Sequence, residues 1–267
     1  MKQIINILVF LLISGFITNC NPKQNEMKKI IFLHHSTGQA IWYGKVNRYV
    51  RKLTDKSDVK TYFNKYNRKF NAGYKITEQS FPKGKHYGWT NFPYDYYNIW
   101  VKNAGTQTYM EEPTLEILTK EYEMIIFKHC YPVSNILEDT GMPDIDSDIK
   151  RLENYKLQYN ALKQKIHEFP QNKFIIWTPA AKVEKSITPE EAQRTREFHS
   201  WIINEWDEKG DNIYIWDFYN YETEGGLYLK NEYAASVEDS HPNKQFAGRV
   251  APLFAQFIID VEQEKIE

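Results

Sequence analysis

Cysteine is nearly absent: in 267 residues there are two, Cys20 and Cys130. So far apart, they exclude a disulfide scaffold and a Cys-rich zinc module. No HExxH or CxxC spacing occurs, so neither a metal centre nor a cofactor is expected. His34 and His35 do not change that, because neighbours on a strand point to opposite faces and cannot chelate one ion as a pair. A surplus of one charge is also missing. The 34 Lys and Arg stand against 35 Asp and Glu, leaving a formal net charge of -1, so no basic field exists to hold nucleic acid. There is no internal repeat and no low-complexity tract, and Gly225-Gly226 reads as a turn, not a phosphate loop. A hydrophobic share of 42% and a charged share of 26% exclude wholesale disorder.

What is plentiful is aromatic: 19 Tyr and 7 Trp contribute to a 15% aromatic share. Such residues have an apolar body and a polar tip and suit half-wet clefts and sugar-facing surfaces. An AT-rich coding bias toward Tyr, Lys, Asn and Ile accounts for them equally well.

The N-terminus reads as a targeting segment. Lys2 precedes an apolar stretch, Ile4 to Ile17, broken by Asn6, Ser14 and Gly15. It is too short for a stable spanning helix and fits a secretory h-region. It ends at Cys20, followed by a polar run to Lys29. A Cys directly after such a region resembles a bacterial lipobox, which implies lipidation of Cys20. The expected division is a signal peptide at 1–19, a lipidated Cys and linker at 20–27, and one folded domain at 28–267. The expected location is the cell envelope outside the cytoplasm, with the lipid as the sole contact with membrane.

Within the folded part, KKIIFLHH (28–35), EMIIFKH (123–129), KFIIWT (173–178) and NIYIWDF (212–218) are short continuous apolar runs. That pattern predicts parallel strands covered on both faces, with Ile30, Ile125, Ile175 and Ile215 central and buried. Tyr74 to Phe81 adds a further strand. Helical spacing covers 148–169, and Thr188-Pro189-Glu190-Glu191 is a helix start running to about Asp207. A last helix covers 243–261. Strands alternating with helices predict an α/β domain with a mainly parallel sheet of about five strands. The stretch 43–107, rich in Tyr, Lys and Asn, reads as long loops and short elements. Its FPYDYY run (92–97) is either a cleft lining or loop packing.

Two segments carry candidate chemistry. Ser36 follows the first strand immediately, and a helix is expected from about Gln39. In an open parallel sheet, ligands bind beyond the carboxyl ends of the strands, where a Ser hydroxyl and helix N-terminal amides face the same space. The plainer role is a helix cap. Near the other end, VEDSHPN (237–243) places His241 among acids as a candidate general base. The plainer role is a helix-entry loop. Ser36 with His241 and either Glu238 or Asp239 makes a geometrically possible triad.

A Ser in the turn after the first strand, with an acid–His–Pro block before the last helix, resembles the SGNH (GDSL-like) hydrolases. The resemblance runs from Lys28 to the C-terminus, with HHSTG in place of the usual Gly-Asp-Ser. It implies a flavodoxin-like three-layer α/β/α sandwich and esterase activity. It puts the nucleophile on Ser36, the base on His241 and the acid on Glu238 or Asp239. The oxyanion donors fall on Ser36, Gly105 and an amide after the third strand. The usual Gly-x-Asn-Asp is absent there, and Asn135 is the nearest amide, with Ser134 or His129 as alternative donors. The expected reaction is hydrolysis of O-acyl esters, acetyl foremost, on carbohydrate or another ester substrate. The alternatives are a non-catalytic glycan- or cell-wall-binding protein on the same fold, and an O-acyltransferase.

Overall fold

The computed structural model describes residues 27–266. Cys20 and the apolar stretch before it lie outside the described residues. Five strands form one parallel sheet: β1 (Lys28–His34), β2 (Tyr74–Ser80), β3 (Met124–Phe127), β4 (Lys173–Trp177) and β5 (Ile213–Trp216). Their order is β2-β1-β3-β4-β5, the flavodoxin-like doubly wound arrangement. Register runs from Lys28 opposite Tyr74 to His34 opposite Ser80, and from Ile30 opposite Met124 to Leu33 opposite Phe127.

The helices are α1 (Ser36–Tyr43), α2 (Arg48–Thr54), α3 (Asp58–Phe70), α4 (Pro93–Tyr97), α5 (Leu115–Glu121), α6 (Leu152–His167), α7 (Pro189–Trp201), α8 (Phe218–Thr223) and α9 (Lys244–Glu262). The continuous apolar strands feed two cores because successive residues point to opposite faces. Ile30 and Phe32 of β1, with Ile126 and Trp177, pack against α1, α3 and α9. Ile31 and Leu33, with Ile125, Phe127 and Ile176, pack against Tyr96, Trp100, Leu118, Tyr159 and Phe198 from α4 to α7. The result is the expected three-layer α/β/α sandwich.

Three details depart from expectation. β5 is an edge strand, so Ile215 is half-buried at the rim and not central. The stretch 43–107 holds a proper amphipathic helix, α3, with Ser57 as its cap and Val59 and Phe63 in the core. Its Tyr- and Lys-rich exposed face hid those two anchors. α7 ends at Trp201 and continues as a π turn through Trp206. The predicted capping box is present, with Thr188 Oγ1 accepting from the Glu191 amide at 3.2 Å and Thr188 N–H donating to Glu191 at 3.1 Å. No helix among the described residues is long and apolar enough to cross a membrane.

The sheet's carboxyl edge is fixed by close packing of α1 on β1. A Cβ on Gly38 would lie 2.5 Å from His34 Cβ and 2.9 Å from Lys128 Cδ. Both neighbours are buried, so neither gives way easily. Gly38→Ala is expected to destabilise the fold by about 1–3 kcal/mol, read as a lower urea midpoint, while Ala40→Ser, two residues along at a half-buried site, serves as the mild control.

Candidate active site

β1 delivers the chain to His35, which is extended (φ -119°, ψ -164°) and holds the cap position of α1 without a side-chain cap bond. Ser36 is therefore the first helical residue and not the cap. Its side chain is exposed while Thr37 behind it is buried. The amides of a first helical turn have no partner within the helix and attract negative charge. Ser36 and the end of β3 flank the β1/β3 boundary, where the strand order reverses and such sheets open a ligand crevice.

A cavity of about 700 Å³ occupies that crevice. It is lined by His35, Ser36 and Gln39 from the β1–α1 junction, by Cys130 after β3, and by Trp89, Thr90, Asn91 and Phe92 from the segment after β2. Trp89 is 67% exposed and meets the His35 ring edge-on at 5.2 Å. Of the FPYDYY run, Phe92 reaches the cavity, whereas Tyr96 and Tyr97 are buried in packing. A larger cavity, about 940 Å³, lies between α3 and β2 and is lined by no serine, cysteine or histidine. The smaller one holds Ser36 and Cys130.

The residue facing Ser36 is Cys130. Ser36 Oγ lies 3.0 Å from its sulfur and Thr37 Oγ1 3.3 Å from it. Burial acts to raise the thiol's pKa, but the Lys128 charge and the Ser36, Thr37 and amide contacts outweigh it and leave the pKa below its usual value. Lys128 is fully buried, its ammonium without a hydrogen-bond partner and 5.8 Å above the Trp177 ring. Burial pushes its pKa down, opposed by Cys130 and Glu222. Glu222 of α8 is also fully buried. One oxygen accepts the Ala181 amide at 2.6 Å and the other has no partner. Burial pushes its pKa well up.

His241 sits before α9 with Nδ1 2.6 Å from Asp239 Oδ1, and its own amide donates to the same oxygen at 3.0 Å. That amide is the foremost cause holding the Asp239 carboxyl below its usual range. Asp239 thus pairs with His241. Glu238 contributes its carbonyl, which accepts from Ser186 Oγ at 3.4 Å. The His241 ring meets Tyr131 edge-on at 4.9 Å. Because Tyr131 adjoins Cys130, the Asp239–His241 pair and Ser36 share the carboxyl edge. No hydrogen bond joins Ser36 to His241 among the described residues; the hydroxyl's partner is the thiol.

The structure does not bring Gly105 or Asn135 to Ser36. Gly105 follows the π turn that extends α4. Its carbonyl accepts from Thr114 Oγ1 at 2.6 Å and its amide serves Glu116, which pairs with Lys165 in the last turn of α6. Asn135 is held by Lys182, 3.0 Å from its oxygen, and donates to Glu191 at 3.2 Å. The alternative donors are turned away as well. Ser134 donates to the Ala180 carbonyl, and His129 lies 2.8 Å from Tyr159 Oη in the core. The place beside Ser36 belongs to Cys130, which the sequence reading used only to exclude a disulfide scaffold and a zinc module. The available signal was its position, three residues past the last residue of β3, at the strand-order reversal.

His167, Glu208 and Asp211 are the described residues whose ligand atoms converge within 4.8 Å. His167 is bonded to Asp211 at 2.9 Å and Lys163 neutralises Glu208 at 2.8 Å, so the group is satisfied internally.

No family model matches the chain, and no curated protein matches it. Among solved structures, the chain is similar to the crystal structure of the lipase Lip_vut3 from a goat rumen metagenome. It is 13% identical with a TM-score of 0.50, over 86% of this chain and 97% of that one. This shows a shared α/β/α fold. A carbohydrate esterase, described as having divergent catalytic and non-catalytic binding functions at its active site, is 11% identical with a TM-score of 0.40. The match covers 87% of this chain and 65% of that one.

Burial holds the pKa of His35 at about 4 and of His129 at about 3, against 6.5 for a free imidazole. Unfolded imidazoles take up protons near pH 6.5 while these two stay neutral, so each withdraws stability as pH falls from about 6.5 toward 4. The urea midpoint of His129→Gln is expected to fall less than that of the parent protein over this interval. Comparing the two proteins separates the imidazole from carboxylates that titrate in both.

Proposed function

We propose that the chain is a serine ester hydrolase of the SGNH type. The observation that carries this reading is an exposed serine opening α1, whose cap residue makes no side-chain bond, at the strand-order reversal, with an Asp239–His241 pair on the same edge of the sheet. In the proposed reaction Ser36 Oγ adds to the ester carbonyl and His241 receives its proton. Asp239 holds the imidazole through Nδ1, leaving Nε2 for that transfer. The amides opening α1 stabilise the oxyanion. Return of the proton expels the alcohol, and water repeats the sequence to release the acid. Asp239 fits the orienting role better than Glu238 because it alone of the two bonds the ring.

The proposed substrate is an O-acylated carbohydrate. An exposed Trp89 at the cavity mouth supports this, since an indole face suits sugar stacking. Transfer of the acyl group to a sugar hydroxyl would use the same residues, and product analysis separates it from hydrolysis. One observation favours a binding protein on the same fold: Ser36 faces the thiol, and Gly105 and Asn135 supply no oxyanion donors beside it.

A fluorophosphonate probe decides between these readings. It is expected to label Ser36 and to leave Ser36→Ala unlabelled. Ester hydrolysis by Asp239→Asn should fall by roughly four orders of magnitude, with Glu238→Gln near the parent rate. No labelling of the folded protein would favour the binding reading.

We also propose export and anchoring through a lipid on Cys20. Cys20→Ala should move the protein from the membrane to the soluble fraction, because a lost acyl anchor removes the main apolar attachment.

A further inference from the structure

We propose that Cys130 is a reactive thiolate and a modification site for small thiol-directed electrophiles, hydroperoxides included, and that its modification closes the Ser36 crevice. The closure half rests on the ester-hydrolase reading; the thiol half does not.

Four features converge on the sulfur. It lines the crevice, so a small reagent reaches it from the cavity. Two hydroxyls, on Ser36 and Thr37, stand 3.0 and 3.3 Å away and are able to donate to it. It faces the uncapped N-terminal turn of α1, whose amides favour an anion. Below the sulfur, Lys128 is a fully buried amine with no hydrogen-bond partner, two residues before Cys130 and within electrostatic reach of it. An orphaned ammonium in the core is costly unless a counter-charge lies near. Cys130 and Glu222 are the two acidic groups within electrostatic reach of Lys128, and of the two only Cys130 lines the crevice.

The chemistry balances without a cofactor. With iodoacetamide, the sulfur forms a bond to the methylene carbon and iodide leaves. With hydrogen peroxide, the sulfur attacks one oxygen and the O–O bond breaks. The leaving hydroxide takes a proton to become water; the sulfur is oxidised to sulfenic acid as the peroxide is reduced. Either adduct adds atoms where Ser36 Oγ already sits in contact with the sulfur, so an ester carbonyl no longer reaches the hydroxyl.

The test uses the full chain, native, with peptide mapping to separate Cys130 from Cys20. Alkylation by iodoacetamide is followed from pH 5 to 9, and fluorophosphonate labelling of Ser36 is measured before and after. Groups facing the sulfur are Lys128 after β3, Glu222 on α8, Ser36, Thr37 and His35 at the β1–α1 turn, and Tyr131. The expected result is alkylation of Cys130 at pH 7 faster than that of glutathione, and loss of Ser36 labelling afterwards. Lys128→Met is expected to slow alkylation at pH 7 at least tenfold and to move its pH midpoint upward. A purely structural lysine would not shift that midpoint. Should Lys128→Met fail to fold, Thr37→Val gives a smaller shift of the same sign.

Hydrogen peroxide followed by dimedone should tag the same residue. A Cys130 that stays unlabelled while Ser36 takes the fluorophosphonate overturns the proposal and leaves the hydrolase reading intact. A Cys130 that labels with the Lys128-dependent midpoint, beside a Ser36 that never reacts, upholds the thiol site and overturns the hydrolase reading.

Discussion

The reversal of strand order between β1 and β3 is the constraint on which everything else turns. The chain leaves β1 toward one edge of the sheet, through α1 to α3, and pairs β2 there. It then crosses back to place β3 on the other side. Connections diverge at that point, so no loop crosses directly over it, and a crevice is left between the two strand ends. Ser36 and Cys130 are the residues that the two strands deliver to its walls. They touch at 3.0 Å although 94 positions apart, because the β1–β3 register, Leu33 opposite Phe127, fixes where both strands end. The packing of α1 through Gly38 then decides how closely the serine approaches.

Beneath the crevice the core is unusually polar for a parallel sheet. Lys128, His129 and Glu222 are all buried, and each leaves at least one polar atom without a partner. A fold that needed only stability would fill these places with apolar side chains, since isolated buried charges are destabilising. Their clustering at one end of the sheet, under the exposed serine and the thiol, marks the region as organised for electrostatics. The aromatic surplus has a parallel split. Trp177 stacks on Phe32 and meets Phe254 and Phe218 in the core, while Trp89 stands open at the cavity mouth.

The fold was legible because its strands are continuous apolar runs and its helices carry strong start signals, such as Thr188 with Glu191. The parallel sheet followed from alternation of elements, but the place of β5 did not, because an edge strand with one exposed side still reads as NIYIWDF. α3 was obscured for the opposite reason: two core anchors, Val59 and Phe63, sit among polar residues. At the site, Ser36 and His241 were legible as strand-end and helix-entry residues. The choice of Asp239 over Glu238 depends on a backbone turn that lets one carboxylate meet both the ring and the amide of His241. The donors near Ser36 were illegible because each amide or imidazole close in sequence is taken by a partner distant in sequence: Glu191 and Lys182 for Asn135, Tyr159 for His129.

The Ser36–Cys130 contact places two acceptors around one hydroxyl. At rest the neighbour of the Ser36 hydroxyl is the sulfur, and the thiolate proposed there is a good acceptor for its proton. In the proposed reaction the same proton has to travel to His241, which is reached from Cys130 by way of Tyr131. Whatever stabilises the thiolate therefore holds the hydroxyl back from the imidazole, and whatever neutralises it releases the hydroxyl. In that proposal Lys128 acts on the balance from below, through its electrostatic influence on the sulfur. A substrate carbonyl entering the crevice acts on it from above, because it displaces the sulfur as the group nearest Ser36 Oγ. A serine at a helix start is ordinarily activated by its base alone; in the proposed reaction the neighbouring thiol would make the resting state of Ser36 depend on a buried lysine.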